Sequence, residues 1–191
     1  MSRKLIYSTA VSLDGFIAGP DGQFDWAAPD EELHRFHNRQ TAELGGHLLG
    51  RRLYEVMLYW ETVDTASTAP EHEVEVEFAR IWQRAPKVVF SRTLERVEGN
   101  ARLAAGDVAD EVSALKAGDG KPLSVGGATL AATCLELGLV DEIRLFVSPV
   151  VVGGGTPCFP SLEARIDLEL VETRTFGSRV VYMRHAVSRP R

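Results

Sequence analysis

The residues LSVGGATLAATCLELGLVDEIRLFVSPVVVGGGTP, from Leu123 to Pro157, carry the clearest fold signal in the chain. The first three residues are an apolar run too short for a helix, which predicts a buried strand. Gly126 and Gly127 follow at once, and apolar residues then recur at helical spacing from Ala128 to Leu137. A second apolar run, Ile143–Val152, predicts another strand with a bend at Pro149. These residues therefore predict a strand–helix–strand unit.

The glycine pair at the start of this helix has two interpretations. Because glycine lacks a Cβ atom, the backbone can approach a phosphate closely, and the first-turn N–H groups of the helix point at the ligand. Glycine pairs also mark ordinary strand-to-helix turns that bind nothing. The residues alone leave both interpretations open.

Composition limits the classes of function. A chain of 191 residues suits one domain, 1–191, and its net charge of −6 argues against nucleic acid as a partner. Cys134 and Cys158 have no metal-ligand spacing, and His34 and His37 share a helix face without an evident third ligand, so no metal is expected. We find no signal peptide and no membrane-spanning run, which favours a cytoplasmic protein.

The rest of the chain alternates between strand and helix patterns. Predicted strands are Lys4–Val11, 46–50, Lys87–Arg92, Ala101–Ala105, Asp167–Phe176 and Arg179–Val187, and predicted helices are 30–44, 51–57, 71–82 and 107–116. Such alternation favours an α/β fold with a mostly parallel central sheet and helices on both faces. The last two strands, joined by Gly177 and Ser178, add an antiparallel C-terminal hairpin.

Four predicted strand ends carry residues suited to an anion: Ser12–Gly15, 50–52, 91–92 and 126–127. Arg51 and Arg52 begin a helix, where cations oppose the helix dipole unless an anion lies between them and the helix end. The alternative is that both side chains extend into solvent. Because ligands of open α/β sheets bind beyond the carboxyl ends of strands, these ends together predict a cradle for a phosphorylated nucleotide.

Five motifs in this order resemble the dihydrofolate reductase-like superfamily: KLIYSTAVSLDG from Lys4, LLGRRLYE from Leu48, VVFSR from Val88, VGGATL from Val125 and GGGTP from Gly153. More closely, they resemble the C-terminal reductase domain of the bifunctional riboflavin-biosynthesis proteins (the RibD C-terminal domain). The resemblance implies a three-layer fold, a homodimer and NADPH as cofactor. It assigns the cofactor phosphates to Gly50, Arg51 and Arg52, the 2′-phosphate to Ser91 and Arg92, and the pyrophosphate to Gly126, Gly127, Ala128 and Thr129.

The resemblance also implies hydride transfer to a C=N or C=O bond of a pyrimidine- or pteridine-like small molecule. The family-level reaction is that of 5-amino-6-(5-phosphoribosylamino)uracil reductase. Asp14 and Glu32 are the candidate catalytic acids; alternatively, Asp14 is a turn residue and Glu32 stabilises a helix dipole. Trp26 and Phe36 are the candidate substrate contacts. The acidic helix start at Asp30 would repel a substrate phosphate, so dihydrofolate reduction and nucleotide or pterin binding without turnover remain alternatives.

Overall fold

A mixed sheet of eight strands forms the centre of the molecule. The computed structural model describes residues 2–67, 69, 72–159, 161–162 and 164–188. Its strands are β1 (Leu5–Ser12), β2 (Phe16–Ala18), β3 (His47–Gly50), β4 (Lys87–Phe90), β5 (Ala101–Leu103), β6 (Leu123–Gly126), β7 (Glu142–Ser148), β8 (Thr156–Pro157), β9 (Leu168–Thr175) and β10 (Val181–Val187). The large sheet has the order β5-β4-β3-β6-β1-β7-β10-β9, and β2 pairs with β8 in a separate ribbon.

Helices connect the parallel strands. They are α1 (Glu31–Ala42), α2 (Arg51–Met57), α3 (Tyr59–Thr62), α4 (Glu73–Arg84), α5 (Val108–Ala117) and α6 (Ala128–Glu136), with a 3₁₀ turn at Asp25–Ala27. The predicted start of α4 at position 71 lies outside the described residues. None of the described helices is long and apolar enough to cross a membrane.

Strand direction agrees with the sequence pattern. From β5 to β7 in the order of the large sheet, every strand runs parallel to its neighbours, whereas β10 is antiparallel to both β7 and β9. The predicted α/β fold, with its mostly parallel sheet and antiparallel C-terminal pair, is therefore confirmed. The C-terminal turn also involves Arg179, which adopts a left-handed φ of 67° directly after Gly177 and Ser178.

Apolar side chains form two layers, one on each face of the large sheet. One layer packs β1, β6 and β7 against α5 and α6, and includes Tyr7 and Cys134. The opposite face packs against α1, α2 and α4 through Phe36, Tyr54 and Trp82. Because side chains of a strand point alternately to its two faces, both faces of this sheet are apolar and both need helices.

Three predicted strands extend too far, one of them β5, which ends at Leu103 instead of Ala105. Strand β7 ends at Ser148 instead of Val152, and β4 ends at Phe90 instead of Arg92. Beyond Ser148 the chain turns at Pro149 and wraps around the start of the loop after β1, where Leu13 N donates to Val150 O at 2.8 Å. The polar groups beyond these strands thus lie in loops at the carboxyl edge of the sheet.

Candidate functional site

Two glycine turns meet at the carboxyl edge of the sheet. Gly127, between β6 and α6, has φ of 92°, and a Cβ atom built on it would lie 3.5 Å from Gly50 Cα. Gly50 is the corresponding turn between β3 and α2. Neither helix has a side-chain cap at its first residue, so their first-turn N–H groups remain available to an anion. Ala128 is half-buried and Thr129 exposed in the first turn of α6.

The predicted arginines lie at this same edge. Gly50 pairs with Phe90 in the parallel β3–β4 ladder, so Arg51 and Arg92 leave neighbouring strands at the same level. Arg51, Arg52 and Arg92 are exposed. Arg51 approaches Glu55 only to 3.8 Å. The structure thus provides three solvent-exposed cations beside the paired glycine turns.

Ser91 has a structural contact of its own. Its Oγ accepts hydrogen bonds from the backbone N–H groups of Thr93 at 3.2 Å and Leu94 at 3.0 Å. These bonds fix the turn that presents Arg92. The hydroxyl hydrogen is still free to be donated to an anion, because both bonds use only the oxygen lone pairs.

Asp14 joins two loops at the carboxyl edge. Its Oδ1 accepts from Ser12 Oγ at 2.7 Å, and its Oδ2 accepts from Gly153 N at 2.8 Å. These hydrogen bonds, that from Ser12 first, hold the pKa of the Asp14 carboxyl below its ordinary value. A carboxyl with a lowered pKa is ionised at neutral pH and is a poor proton donor there.

Glu32 lies in the first turn of α1 and faces the C-terminal hairpin. Its carboxylate accepts from Gly177 N at 3.0 Å and from the Arg174 guanidinium at 2.8 Å. The pKa of Glu32 is lowered, first by the Gly177 N–H and then by Arg174. Like Asp14, Glu32 is therefore engaged in linking elements distant in sequence.

The two predicted substrate contacts lie in different environments. Phe36 is buried in α1 and packs edge-on against Phe176 and Tyr182, with ring centroids 5.1 Å and 5.0 Å away. Trp26 is half-buried in the 3₁₀ turn, and its enclosed Nε1 has no hydrogen-bond partner among the described residues. Phe36 thus belongs to the apolar layer under α1.

A cavity of about 160 Å³ lies between α1, α2 and the sheet. Its lining includes His37 and Gln40 from α1, Ser8 from β1 and Arg144 from β7, and it extends to Gly126 at the glycine turns. Ser8 is exposed although it lies in a central strand, so the cavity is open to solvent there. For comparison, a cavity of roughly 150 Å³ holds a benzene ring. The space suits one six-membered ring beside the glycine turns.

The cavity is electrically near neutral. Arg144 is buried, and its Nε donates to the buried carboxylate of Glu142 at 2.7 Å, which offsets its charge. Burial lowers the pKa of both His37 and His47 to about 4, with His34 and Lys87 respectively as the second cause, so both imidazoles are neutral at pH 7. No Asp or Glu of the described residues lines the cavity.

Sequence reasoning did not identify Ser8, Gln40 or Arg144 as site residues. The available signal was the spacing of His37, Gln40, Thr41 and Leu44, which fall at i, i+3, i+4 and i+7 on one face of α1. Three of these four residues, His37, Gln40 and Thr41, are polar, whereas a helix stripe that faces a packed core is apolar.

Comparisons with known proteins identify the family of this chain. The family model of the RibD C-terminal domain matches residues 3–182. The uncharacterized protein YyaP of Bacillus subtilis (strain 168) is 37% identical over 182 residues, covering 94% of this chain and 92% of YyaP. The uncharacterized protein YwjB of the same organism is 29% identical over 188 residues, covering 94% of this chain and 96% of YwjB.

Solved structures share the fold at lower identity. A putative riboflavin biosynthesis protein from Shewanella sp. PV-4 superposes with a TM-score of 0.77 at 23% identity, covering 99% of this chain and 100% of the other. Dihydrofolate reductase from Enterococcus faecalis, complexed with NADP(H), gives 0.64 at 15% identity and covers 99% and 100% of the two chains. From the match over residues 3–182, this chain belongs to the RibD C-terminal domain family.

Proposed function

We propose that this protein is an NADPH-dependent reductase that transfers hydride to a C=N or C=O bond of a pyrimidine- or pteridine-like ring. The observation that carries the proposal is that Gly126, the last residue of β6 and the neighbour of the Gly127 turn, lines the ring-sized cavity. A phosphate-binding turn and a ring pocket that share a residue suit a dinucleotide and a heterocycle bound side by side.

The residues present fit the cofactor. Backbone at Gly50 and Gly127 allows close approach of a pyrophosphate, and the first turn of α6, Ala128 and Thr129, offers N–H donors. Arg51, Arg52, Ser91 and Arg92 supply charge and hydrogen bonds for the remaining phosphates, with Arg92 at the 2′-phosphate. When bound, NADPH supplies the hydride.

A structural neighbour with a named reaction supports the family-level assignment. The diaminohydroxyphosphoribosylaminopyrimidine deaminase/5-amino-6-(5-phosphoribosylamino)uracil reductase of Thermotoga maritima superposes with a TM-score of 0.65 at 16% identity. The superposition covers 98% of this chain and 57% of that protein. We assign the reductase reaction to this chain at the level of its family.

The start of α1 bears on the substrate phosphate. Asp30 caps the helix by accepting from Leu33 N at 2.9 Å, and Glu31 pairs with Arg35 at 2.9 Å. With Glu32, three acidic groups therefore repel a phosphate at this helix end. The charge of Glu31 is partly offset by Arg35, and that of Glu32 by Arg174. A substrate without a phosphate, or one whose phosphate lies elsewhere, fits this chain better.

The cofactor assignment is tested by replacing Arg92 with Ala. Loss of one charged hydrogen bond should weaken NADPH binding by about 1.5–3 kcal/mol and leave NADH binding nearly unchanged. Arg84→Ala is the matched control, because Arg84 is an exposed arginine at the end of α4, away from the glycine turns. Isothermal titration calorimetry with both cofactors makes the comparison. Equal losses for NADPH and NADH would contradict a 2′-phosphate role for Arg92.

Turnover separates a reductase from a binding protein. NADPH oxidation should be followed at the nicotinamide absorbance band with pyrimidine and pteridine substrates, dihydrofolate included. If the protein binds NADPH tightly but oxidises it with none of these substrates, the alternative of a non-catalytic nucleotide-binding protein is favoured.

A further inference from the structure

The first turn of α2 packs directly on the turn between β6 and α6. A Cβ atom built on Gly127 would lie 3.5 Å from Gly50 Cα and 3.7 Å from Leu53 Cβ. A Cβ atom built on Gly50 would lie 3.7 Å from Leu130 Cβ, in the first turn of α6. The two glycine turns therefore lie against each other, and Leu53 is at their junction.

Gly126 leaves a notch that the Leu53 side chain fills. A Cβ atom on Gly126 would lie only 2.5 Å from Leu53 Cδ2, a separation that real Cβ atoms essentially never show. Gly126 is a strand residue without a positive φ, so its backbone conformation does not itself require glycine. The contact with Leu53 is thus the physical reason for the missing side chain at position 126.

Neighbouring side chains of α2 anchor this helix on two sides. Tyr54 is buried in one apolar cluster with Trp82 and Val89, and its Oη accepts a hydrogen bond from Glu98 N at 2.7 Å. Leu53 points to the other side and contacts β6 at the notch. If the contact of Leu53 is lost, we expect α2 to tilt about the remaining anchor at Tyr54.

We propose that Leu53 is a positioning residue for the cofactor: seated on Gly126, it holds α2 against β6 and so fixes the spacing of the two glycine turns. This inference rests on the proposed function, because it assigns these turns to the phosphates of NADPH. Leu53 is a hydrocarbon side chain and cannot bind a phosphate itself. Because hydrogen bonds to a phosphate tolerate a donor–acceptor range of only about 0.5 Å, a small tilt of α2 changes how Gly50 and Arg51 meet the phosphates.

Gly126→Ala should break this contact without unfolding the protein. The new methyl group would overlap the end of the Leu53 side chain and no backbone atom, so Leu53 can rotate out of the notch. Leu53 is only half-buried, which leaves it room to do so. The expected product is a folded protein in which α2 has lost its hold on β6.

Leu53→Ala should break the same contact from the other side. In each of these two variants NADPH binding, measured by isothermal titration calorimetry, should weaken about two- to thirtyfold. Leu58→Ala is the matched control, because Leu58 is a half-buried leucine of the same apolar cluster at the opposite end of α2. Leu53→Met keeps a long apolar side chain, and both it and Leu58→Ala should bind NADPH like the parent protein.

The double variant Gly126→Ala/Leu53→Ala separates positioning from obstruction. With the leucine shortened, the methyl group at position 126 has space in the notch, and α2 can pack on β6 again. The double variant should therefore bind NADPH more tightly than Gly126→Ala alone. If the methyl group obstructs the cofactor directly, or if Leu53 only stabilises the fold, the second substitution brings no recovery.

The position of α2 can also be measured without a ligand. Residual dipolar couplings of the backbone amides report the orientation of α2 relative to α6. This orientation should change in Gly126→Ala and in Leu53→Ala, return toward that of the parent in the double variant, and stay unchanged in Leu58→Ala.

Three results would overturn the inference: parent-like NADPH affinity in a folded Leu53→Ala protein, no recovery in the double variant, or an unchanged orientation of α2 in both single variants. A parent protein that binds no NADPH would refute the proposed function instead. The dipolar couplings need no cofactor, so they would then decide by themselves whether Leu53 holds α2 in place.

Discussion

Among single residues, Asp14 and Glu32 are the two candidate catalytic acids, and each also holds two segments of the chain together through hydrogen bonds. Both carboxylates bridge elements far apart in sequence, and both have a lowered pKa caused by hydrogen bonds. A group whose folded pKa is depressed stabilises the fold above its unfolded pKa and loses that contribution as pH falls through the folded value. For Asp14 the ordinary pKa is 3.8, so its contribution is complete at neutral pH and is lost in more acidic solution.

The Asp14 link gives a prediction in the loop after β7. Asp14→Asn removes the charge that strengthens the hydrogen bonds from Val152 N and Gly153 N, so these two amides should exchange with solvent several-fold faster. Asp21→Asn is the control, because the Asp21 carboxylate accepts from Gln23 N within its own turn. Hydrogen exchange measured by NMR reports each amide. Unchanged exchange at Val152 and Gly153 would show that Asp14 does not hold this loop.

Turnover distinguishes the catalytic role of either acid. A general acid contributes about 10²–10⁴-fold to the rate. If Asp14 delivers the proton, Asp14→Asn should lower kcat by that factor and leave NADPH affinity nearly unchanged. If Glu32 delivers it, Glu32→Gln should have this effect instead. Wild-type kcat in both variants, on a substrate verified for the parent protein, would indicate proton delivery through water.

Among the secondary-structure elements, the β6–α6 turn depends on one backbone conformation. Gly127 has φ of 92°, which L-residues with a side chain rarely adopt, while the space around it would admit a Cβ atom at 3.5 Å from Gly50. Strain, and not a clash, is therefore the expected cost of a side chain here. The same Cβ atom would also keep a pyrophosphate farther from the backbone N–H groups that would bind it.

Gly127→Ala should lower the free energy of unfolding by roughly 1–3 kcal/mol and weaken NADPH binding at the same time. Gly106→Ala is the matched control, since Gly106 has no positive φ and a Cβ atom there would meet nothing within 4 Å. Urea denaturation and a cofactor titration measure the two effects. A Gly127→Ala protein as stable as the parent would contradict the strained turn.

In the molecule as a whole, the sheet ends on one side at β9, whose outer edge is unpaired within the described chain. Leu168, Leu170 and Val171 are exposed along this strand. Exposed apolar edge strands are usually covered, because their free N–H and C=O groups can pair with another chain. We propose that a second copy of this chain covers β9 and forms a homodimer.

Light scattering should therefore give twice the 21.0 kDa mass of one chain at micromolar concentration. Leu170→Lys should shift the protein toward the single-chain mass by placing a charge in the contact. Leu137→Lys is the control, since Leu137 is a similarly exposed leucine at the end of α6. A parent protein with the mass of one chain would refute the dimer.

The order and type of the elements, and the edge at which the candidate site lies, could be predicted from the amino-acid sequence. Strand–Gly–Gly–helix at Leu123–Leu137, the glycine at position 50 and the C-terminal pair of strands are local patterns, so hydrophobic spacing and turn residues were sufficient to predict them. The predicted helix start at position 30 is local as well, since Asp30 caps α1 and two acidic residues follow in its first turn.

Which polar groups meet was settled by the tertiary structure alone. Asp14 bonds to Gly153 across 139 positions, and Glu32 bonds to Gly177 across 145. His37 and Ser8 line the same cavity because α1 lies over the sheet at β1 and β7, where the strand register pairs Ser8 with Arg144. Local spacing specifies which face of an element is apolar, but the residue opposite that face is set by strand order and register over the whole chain, which no local pattern contains.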